Sequence, residues 1–374
     1  MLTAAQYDAL IDPILKLYQG FEDSVLLDIA RRLGNLDMTA SASWQVQRLS
    51  ESGMLYDDIL KRLATLTHMS ETELRDLFEK AGVKAMAFDD ALYRKAGLNP
   101  IPLNLSPTMI EVLVAGIRRT QGMMQNLTMS TAIAGQSTFL SAADLAYMQV
   151  STGTMSYQQA VRAGVKKLAA DGIQVVQYSG RADQMDVAMR RAVLSGVAKT
   201  TGELQWHRAD QMGQDLVQTS AHAGARNKGV GPMNHESWQG RIFSRSKPNT
   251  EYPDFITTTG YGTGPGLMGW NCRHSYYPFF PGISENAYKQ ATLDEFADRE
   301  VTYNKQKMSF YDATQVQRGL ERKIRYWKRQ RDALAAAGQN NAPEAEAVKY
   351  YQVEMRSFIK QTGLVRQRVR EQIV

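Results

Sequence analysis

The sequence has a single cysteine, Cys272, in 374 residues. One cysteine cannot form an internal disulfide, so folding does not depend on an oxidising compartment. Long apolar runs are also missing, since none approaches the roughly 20 residues that a membrane-spanning helix needs. The N-terminal segment lacks a basic stretch followed by a continuous apolar one. These absences predict a protein that is made in the cytoplasm and is neither secreted nor membrane-spanning.

Histidine is scarce as well, at five residues, and the common catalytic motifs are missing. His235-Glu236 begins like H-E-x-x-H, but Gln239 stands where the second metal-binding histidine belongs. The zinc-deaminase pattern fails because there is no C-x-x-C, and no Walker A sequence occurs. Gly264–Gly269 spells G-x-G-x-x-G, yet no apolar strand precedes it and no helix follows it. We therefore expect these glycines to serve close backbone approach rather than nucleotide binding.

Acidic residues are outnumbered near the C-terminus. Residues 301–374 contain 15 Lys and Arg against 7 Asp and Glu, a net charge of +8 in a chain whose total is +6. Such a segment attracts nucleic acid or an acidic protein surface, although a solvated face of long helices has the same composition. The candidate phosphate-binding residues are Arg322, Lys323, Arg325, Lys328, Arg329 and Arg331.

Helical periodicity is the main signal elsewhere, as in the stripe formed by Leu26, Ile29 and Leu33. N-capping patterns predict where helices begin. These patterns are Asp12-Pro13, Ser70–Glu73, Ser156–Gln159 and Thr292–Glu295. Helices are also predicted over 107–150 and 183–213.

Two strands are predicted, over 173–178 and 215–220, the first because β-branched and aromatic residues are bounded there by glycines. A long helix is expected over 302–337 and another from Pro343 to about Val369. The break between these two helices predicts an antiparallel hairpin.

The predicted fold class is α+β and predominantly helical. The prolines in Asn99–Asn104 separate a helical N-terminal module, residues 1–98, from a mixed α/β domain, residues 105–282. Within that domain, residues 221–282 (the motif region) are rich in glycine, aromatics, arginine and histidine, and require ordering by side-chain packing. Basic helices that include the helical hairpin occupy residues 283–374.

Three interpretations of Cys272 are open. As a nucleophile it needs an imidazole base, for which His235 or His222 is better placed than His274 in an extended segment. As zinc ligands these four residues have suitable atoms, but their spacing is unlike the short pairs of structural zinc sites. Cysteine is also commonly buried as a small apolar group. We expect the structural interpretation, with Trp270 and Cys272 packed inward, no catalytic residue, no metal and no cofactor.

Ordered motifs run through the motif region: His222-Ala-Gly-Ala-Arg226, Asn234-His235-Glu-Ser-Trp238-Gln239-Gly240-Arg241 and Gly269-Trp270-Asn271-Cys272-Arg273-His274. Their order and spacing resemble the phage minor capsid protein 2 family, and the resemblance covers most of residues 10–282. Members are virion proteins of tailed phages, broadly similar to the Mu F-type head morphogenesis proteins. The residues expected to form the structural motif are His222, Arg226, His235, Trp238, Gln239, Gly240, Trp270, Asn271, Cys272, Arg273 and His274.

The resemblance implies a non-enzymatic minor protein of the phage head, made in the host cytoplasm and located at the portal vertex or in the capsid interior. It implies help with head assembly, and with DNA packaging or ejection. Expected partners are the portal protein, the major capsid or scaffolding protein, and packaged DNA, which the basic C-terminal helices would contact through its phosphates. No membrane partner is expected. Two alternatives are a Cys/His hydrolase carried in the virion and a zinc-stabilised interaction domain.

Overall fold

The structure is a computed structural model that describes residues 3–38, 41–176, 182–246 and 248–373. The α-helices are α1 (Ala4–Gly34), α2 (Ser41–Lys95), α3 (Pro107–Met129), α4 (Thr131–Ser151), α5 (Tyr157–Asp171), α6 (Met185–Gln211), α7 (Phe255–Thr259), α8 (Gln290–Ala297), α9 (Phe310–Ala336) and α10 (Ala342–Thr362). Short 3-10 helices cover Leu103–Leu105, Gly231–Met233, His235–Ser237 and Arg368–Glu371. Within the described ranges, no helix is both long and apolar enough to cross a bilayer.

The strands are short, and the strand pairs described below are antiparallel. They are β1 (Gln174–Val176), β2 (Ala182–Gln184), β3 (Leu216–Thr219), β4 (Ile242–Ser244), β5 (Tyr276–Pro278), β6 (Glu300–Tyr303) and β7 (Gln306–Ser309). β1 pairs with β2, β6 pairs with β7, and β3 lies between β4 and β5 in a three-stranded sheet. The predicted class, predominantly helical α+β, is confirmed.

The chain forms two compact units that interleave along the sequence. The first unit comprises Met1–Asp12, Thr72–Gly122 and Arg190–Gln315, and the second comprises Pro13–Glu71, Met123–Met189 and Val316–Val374. The division of the chain into 1–98, 105–282 and 283–374 stays a prediction. α2 has 55 residues, or about 80 Å at 1.5 Å per residue, and its residues are divided between the two units.

In the first unit, α3 and α6 approach closely through small residues. Gly116 on α3 faces Thr200 on α6, and Gly196 on α6 faces Thr120 on α3. A Cβ at either glycine would overlap the threonine opposite it. This reciprocal arrangement makes the glycines necessary for helix packing.

α6 also carries polar side chains that anchor the three-stranded sheet of this unit. Gln205 Nε2 donates to Asp89 Oδ2 on α2 at 3.0 Å and also to the carbonyl of Tyr276 on β5. Arg208 is completely buried, with its Nε 3.0 Å from Asp90 Oδ1. A buried charge is tolerated when it is paired in this way, and this pair joins α6 to α2, while Gln205 joins α6 to β5.

In the second unit, a buried ion cluster joins α1 to α9. Arg329 Nη2 lies 2.8 Å from Glu22 Oε2, and its Nε lies 3.1 Å from Asp23 Oδ1. The other oxygen of Glu22 accepts the backbone N–H of Ile173 at 3.2 Å. All three charged side chains are buried.

The C-terminal helices form the predicted antiparallel hairpin. Lys323 on α9 lies over the ring of Tyr351 on α10, 5.2 Å from its centroid. Further from the turn, Gln317 on α9 donates to the carbonyl of Val365, beyond the end of α10. Residues nearer the start of α9 therefore contact residues further along the chain after its turn, so the two helices run antiparallel.

The predicted start of the long basic helix is wrong. Residues 300–309 form the β6–β7 hairpin, and α9 begins only at Phe310. The turn residues Asn304 and Lys305 have φ angles of 49° and 66°. Two consecutive positive φ angles are typical of the type I′ turn that closes tight hairpins, and asparagine at its first position is the sequence signal for it.

Three of the four predicted capping sites are also wrong. α1 begins at Ala4 and contains Pro13, because the buried residues Tyr7 and Ile11 continue its apolar face before the proline. Ser70 lies inside α2, where its hydroxyl donates to the Thr67 carbonyl.

α8 begins at Gln290, two residues before the threonine of the predicted cap. Only the Ser156–Gln159 capping box is present, with both reciprocal hydrogen bonds at the start of α5. Tertiary packing outweighed the local signal at the other sites.

Both predicted strands are found. β3 lies within 215–220, and β1 lies within 173–178. Residues 177 and 178 of the first prediction are outside the described residues. The helices predicted over 107–150 and 183–213 correspond to α3 with α4 and to α6.

Candidate functional site

The three-stranded sheet brings the motif histidines together. β3 and β5 are antiparallel neighbours in which Thr219 pairs with Tyr276, so the chain leaving β3 passes the chain entering β5. His222 follows β3 and His274 precedes β5. Their rings stack with centroids 4.4 Å apart.

Trp238 packs at the centre of the motif region. Its side chain is fully buried, and its Nε1 donates to the carbonyl of Pro232 at 3.1 Å. Its ring lies against the rings of His235 and His274, with centroids 4.7 and 5.0 Å away. A buried indole whose N–H is bonded supplies apolar contact without an unpaired donor, as a structural motif requires.

Side chains of the motif bond the carbonyls of the glycine-rich loop. Arg226 Nη1 and His235 Nε2 both donate to the carbonyl of Pro265, at 3.3 and 2.8 Å. Arg226 Nη2 donates to the carbonyl of Trp270 at 3.2 Å. Irregular loops have no ladder partners for these carbonyls, so the side chains hold the loop in place.

The glycine-rich loop folds back on itself. A Cβ at Gly266 would overlap the carbonyl of Gly260, and one at Gly269 would overlap the carbonyl of Gly264. The Trp270 N–H donates to the same Gly264 carbonyl at 2.6 Å. Close backbone approach therefore accounts for the glycines in G-x-G-x-x-G.

Trp270 differs from the prediction that it packs inward. Its side chain is 57% exposed, whereas Cys272 is 1% exposed. Asn271 between them has a φ of 55°. A left-handed residue interrupts the alternation of an extended segment, so residues on either side of it need not face the same way.

The remaining motif residues make contacts within the first unit. Arg273 Nη2 donates to Asp8 Oδ1 at 3.2 Å. Gly240 has a φ of 70°, and a Cβ there would overlap the side chains of Leu293 and Tyr288. Both residues therefore fix neighbouring segments.

Gln239 bridges two histidines through one oxygen. Its Oε1 accepts the backbone N–H of His222 at 3.1 Å and lies 3.1 Å from His274 Nε2. Because an amide oxygen only accepts, His274 carries its proton on Nε2, and its Nδ1 presents a lone pair. That Nδ1 lies 3.8 Å from Cys272 Sγ.

The cysteine is not placed as an activated nucleophile. Burial raises the pKa of the Cys272 thiol, whereas an activated cysteine has a lowered pKa and partial exposure. The hydrogen-bond contact of its Sγ with an imidazole is with His274, at 3.8 Å, which is the less favoured base in the sequence analysis. Burial also lowers the pKa of His235 to about 4 and lowers the pKa of His274, helped by the neighbouring histidines and arginines.

The ligand atoms of His235, Cys272 and His274 all lie within 4.8 Å of one another. Sequence spacing alone does not indicate a metal site for these residues, because their proximity depends on the β3–β5 pairing and on the short 3-10 helix that contains His235. His222 is next to this group through its stacked ring. Its Nε2 is buried and lacks a hydrogen-bond partner among the described residues.

The candidate phosphate-binding residues of α9 differ in whether their side chains are exposed or are held by partners within the protein. Arg322 and Lys323 are exposed. Arg329 is buried in the ion cluster described above, and the others have polar partners: Arg325 donates to the Arg370 carbonyl, Lys328 to Gln372 Oε1, and Arg331 to Asp332.

The exposed charge of this region extends to α10, which sequence reasoning missed. Lys349, Arg356 and Lys360 are exposed and share one helix face, because they are spaced by seven and four residues. That spacing is visible in the sequence and could have identified them. Among the side chains of residues 316–373, the exposed acidic one is Glu346, while Arg322, Lys323 and Arg368 add to the exposed basic set.

Comparison with known proteins gives a consistent result. Residues 2–360 match the family model described as phage minor capsid protein 2. A structural protein of Lactococcus phage LL-H is 23% identical over 356 residues, which cover 91% of each chain. A structural protein of Lactococcus phage mv4 is 33% identical over 128 residues, covering 33% of this chain and 94% of the relative. No solved structure matches the chain.

Proposed function

Since the chain belongs to the phage minor capsid protein 2 family, we propose that it is a non-enzymatic structural protein of a tailed-phage head, attached at the portal vertex or on the inner capsid surface. There it assists head assembly through contacts with the portal protein and with the major capsid or scaffolding protein. The observation that carries this proposal is the family match over residues 2–360. The two phage relatives, both described as structural proteins, support it.

The burial of the motif supports a structural role. Trp238, Cys272 and His274 are each at most 1% exposed, and Arg226 and His235 bond loop carbonyls. A hydrolase built on Cys272 needs an accessible thiolate. A thiol-reactive probe applied to the folded protein at neutral pH should therefore react with Cys272 only as fast as the chain opens, and rapid labelling would favour the hydrolase.

The head location can be tested by cryo-EM of assembled heads without imposed icosahedral symmetry. Density that fits this chain beside the portal or on the inner capsid surface is the expected result. Mass spectrometry of the same purified heads provides the control for composition. Absence of the chain from heads that are otherwise complete would contradict the proposal.

We also propose that the basic C-terminal helices contact packaged DNA through its phosphates. The support is the exposed charge of this region: Lys349, Arg356 and Lys360 form a stripe on α10, and Arg322 and Lys323 are exposed on α9. Most acidic groups nearby are not exposed, since Glu344 is buried beside Arg162 and Glu371 is buried beside Arg366. Binding of this kind has no sequence preference and weakens steeply as salt increases.

The DNA contact can be tested with a charge-matched pair of variants. In the first variant, Lys349, Arg356 and Lys360 are each replaced by glutamine; in the control, the exposed α2 residues Lys84, Arg94 and Lys95 are replaced in the same way. Each loses three positive charges. We expect the first alone to lower the magnitude of the slope of log K against log salt by about 2–3, since each phosphate contact contributes about 0.9. Equal losses would mean that only net charge matters, and no binding by the wild type at low salt would contradict the proposal.

A further inference from the structure

We infer that His235, Cys272 and His274 form a binding site for a borderline-soft transition metal of the Zn²⁺ class. This inference is independent of the proposed role in the head. Imidazole nitrogen and thiolate sulfur are the ligands that such ions prefer. All three residues are at most 3% exposed, so the ion would be shielded from solvent and would link buried segments. Three protein ligands leave the fourth tetrahedral position to a water molecule or another group.

The spacing of the ligand atoms is close to that of a tetrahedral site. Zinc bonds of about 2.0–2.1 Å to nitrogen and 2.3 Å to sulfur place neighbouring ligand atoms about 3.3–3.6 Å apart. Cys272 Sγ and His274 Nδ1 lie 3.8 Å apart, and the whole group lies within 4.8 Å. Closing around an ion therefore needs side-chain shifts on the order of 1 Å.

The second nitrogen of each imidazole already has the partner expected of a metal ligand. His235 Nε2 donates to the Pro265 carbonyl at 2.8 Å, and His274 Nε2 lies 3.1 Å from Gln239 Oε1. These acceptors leave the lone pair on Nδ1 in both rings. Histidines that bind metals almost always donate their other N–H to such an oxygen, which fixes the ring orientation.

Gln239 is itself held in the orientation that this role needs. Its Oε1 also accepts the backbone N–H of His222, so the amide oxygen, and not the amide nitrogen, faces His274. The outer partner of the proposed ligand is thereby positioned by the backbone that follows β3.

Cys272 must lose its proton to bind the metal. Binding breaks the S–H bond of Cys272, the electron pair stays on sulfur and forms the metal–sulfur bond, and the proton leaves to the buffer. Burial raises the pKa of the Cys272 thiol, and the guanidinium groups of Arg226 and Arg273 act in the opposite direction, toward the thiolate. An ion would join Cys272 and His274, which precede β5, to the short 3-10 helix of His235, and would cross-link the motif region.

The test uses the full chain, stripped of metal with a chelator and then titrated with Zn²⁺ or Co²⁺. We expect one ion per chain, a higher melting temperature with Zn²⁺, and a Co²⁺–thiolate charge-transfer band in the near ultraviolet. No bound ion, no such band and an unchanged melting temperature would overturn the inference.

Variants distinguish this site from surface binding. Cys272→Ser should abolish the charge-transfer band, and His235→Gln should weaken Co²⁺ binding a hundredfold or more. His207→Gln, at a histidine outside the group, should leave affinity unchanged. Equal loss in the His207 variant would overturn the site.

Gln239→Met removes the amide oxygen that accepts the N–H of His274, and it remains informative if Cys272→Ser fails to fold. It should lower affinity by about 10- to 100-fold while one ion still binds and the thiolate band persists. Wild-type affinity in this variant would overturn the positioning role of Gln239. A Gln239→Met variant that binds no Co²⁺ and shows no charge-transfer band at any Co²⁺ concentration would also overturn this role, because a positioning residue changes affinity and is not itself a ligand.

Discussion

In the second unit, Arg329 is buried between Glu22 and Asp23, whereas in the first unit Arg226 directs its guanidinium to the backbone carbonyls of Pro265 and Trp270. The difference follows from the backbone. In α1 and α9 the helix satisfies its own N–H and C=O groups, so a buried arginine needs a carboxylate. In the motif region the carbonyls have no ladder partners, so arginine and histidine supply the missing donors. The two regions therefore differ in which mutations they should tolerate.

The largest effect is expected for Arg329→Met. It leaves the carboxylates of Glu22 and Asp23 buried without their guanidinium partner, which costs about 3–5 kcal/mol of unfolding free energy. Urea unfolding followed by circular dichroism would measure it. Arg322→Met, at an exposed position of the same helix, should change stability by less than about 0.5 kcal/mol; similar losses in both would show that the ion cluster is not what α9 depends on.

A somewhat smaller effect is expected for Gly266→Ala. The new Cβ would overlap the Gly260 carbonyl, and because the clash is with backbone the cost should be about 3 kcal/mol, the upper part of the range for overpacking. The control is Gly53→Ala in α2, where a Cβ meets nothing within 4 Å. That variant should gain about 0.5–1 kcal/mol. Urea unfolding would measure both variants. Wild-type stability of Gly266→Ala would mean that the loop can open without loss of the fold.

In the first unit, the buried carboxyl of Asp89 should make the stability of the protein depend on pH. Its contact is with an amide, because Gln205 Nε2 donates to its Oδ2 at 3.0 Å. Burial raises the pKa of Asp89 to about 7; Asp90 and Arg208 are charged neighbours. The folded chain then binds this proton more tightly than the unfolded chain, so the stability from this group falls as pH rises from about 4 to about 7.

Asp89→Asn should therefore stabilise the protein relative to wild type more at pH 8 than at pH 5, by on the order of 2 kcal/mol. Melting temperatures across this pH range would measure the difference. Asp57→Asn, at an exposed position of α2, controls for the loss of one negative charge. A constant difference between Asp89→Asn and wild type at all pH values would exclude this carboxyl as the source.

The smallest effect is expected at a helix end. Ser156→Ala removes the hydroxyl that accepts the Gln159 N–H at the start of α5, at a cost of about 1 kcal/mol. Ser156→Asp keeps an acceptor and should retain most of the stability. Urea midpoints of the three proteins would decide, and equal stability of the alanine and aspartate variants would show that this cap is dispensable.

Sequence signals succeeded where they were local and unopposed. The capping box at Ser156, the strand at β3 and the helical break before α10 each depend on a few adjacent residues. They failed where long-range packing opposed them: Pro13 lies inside α1 because buried residues on both sides of it belong to one apolar face. The β6–β7 hairpin was missed because its strands are short and half exposed, although Asn304 marked the turn.

For the candidate site, the sequence indicated which residues matter but not how they meet. The motif residues and their family resemblance follow from residue order and spacing alone, and the family match agrees with that resemblance. The contacts of these residues do not follow from order and spacing. Cys272 Sγ contacts His274 Nδ1, and Arg329, a candidate for DNA binding, is buried with two carboxylates.

The sequence by itself determined the fold class, the basic character of the C-terminal helices and the family, because periodicity, charge and motif order are properties of the chain read in one dimension. Only the tertiary structure decided which ionisable groups are buried together and which face solvent. Those outcomes depend on long-range contacts such as the pairing of β3 with β5 and the ion pairs of Arg329 with Glu22 and Asp23. Both join residues that are so far apart in the sequence that local patterns carry no information about them.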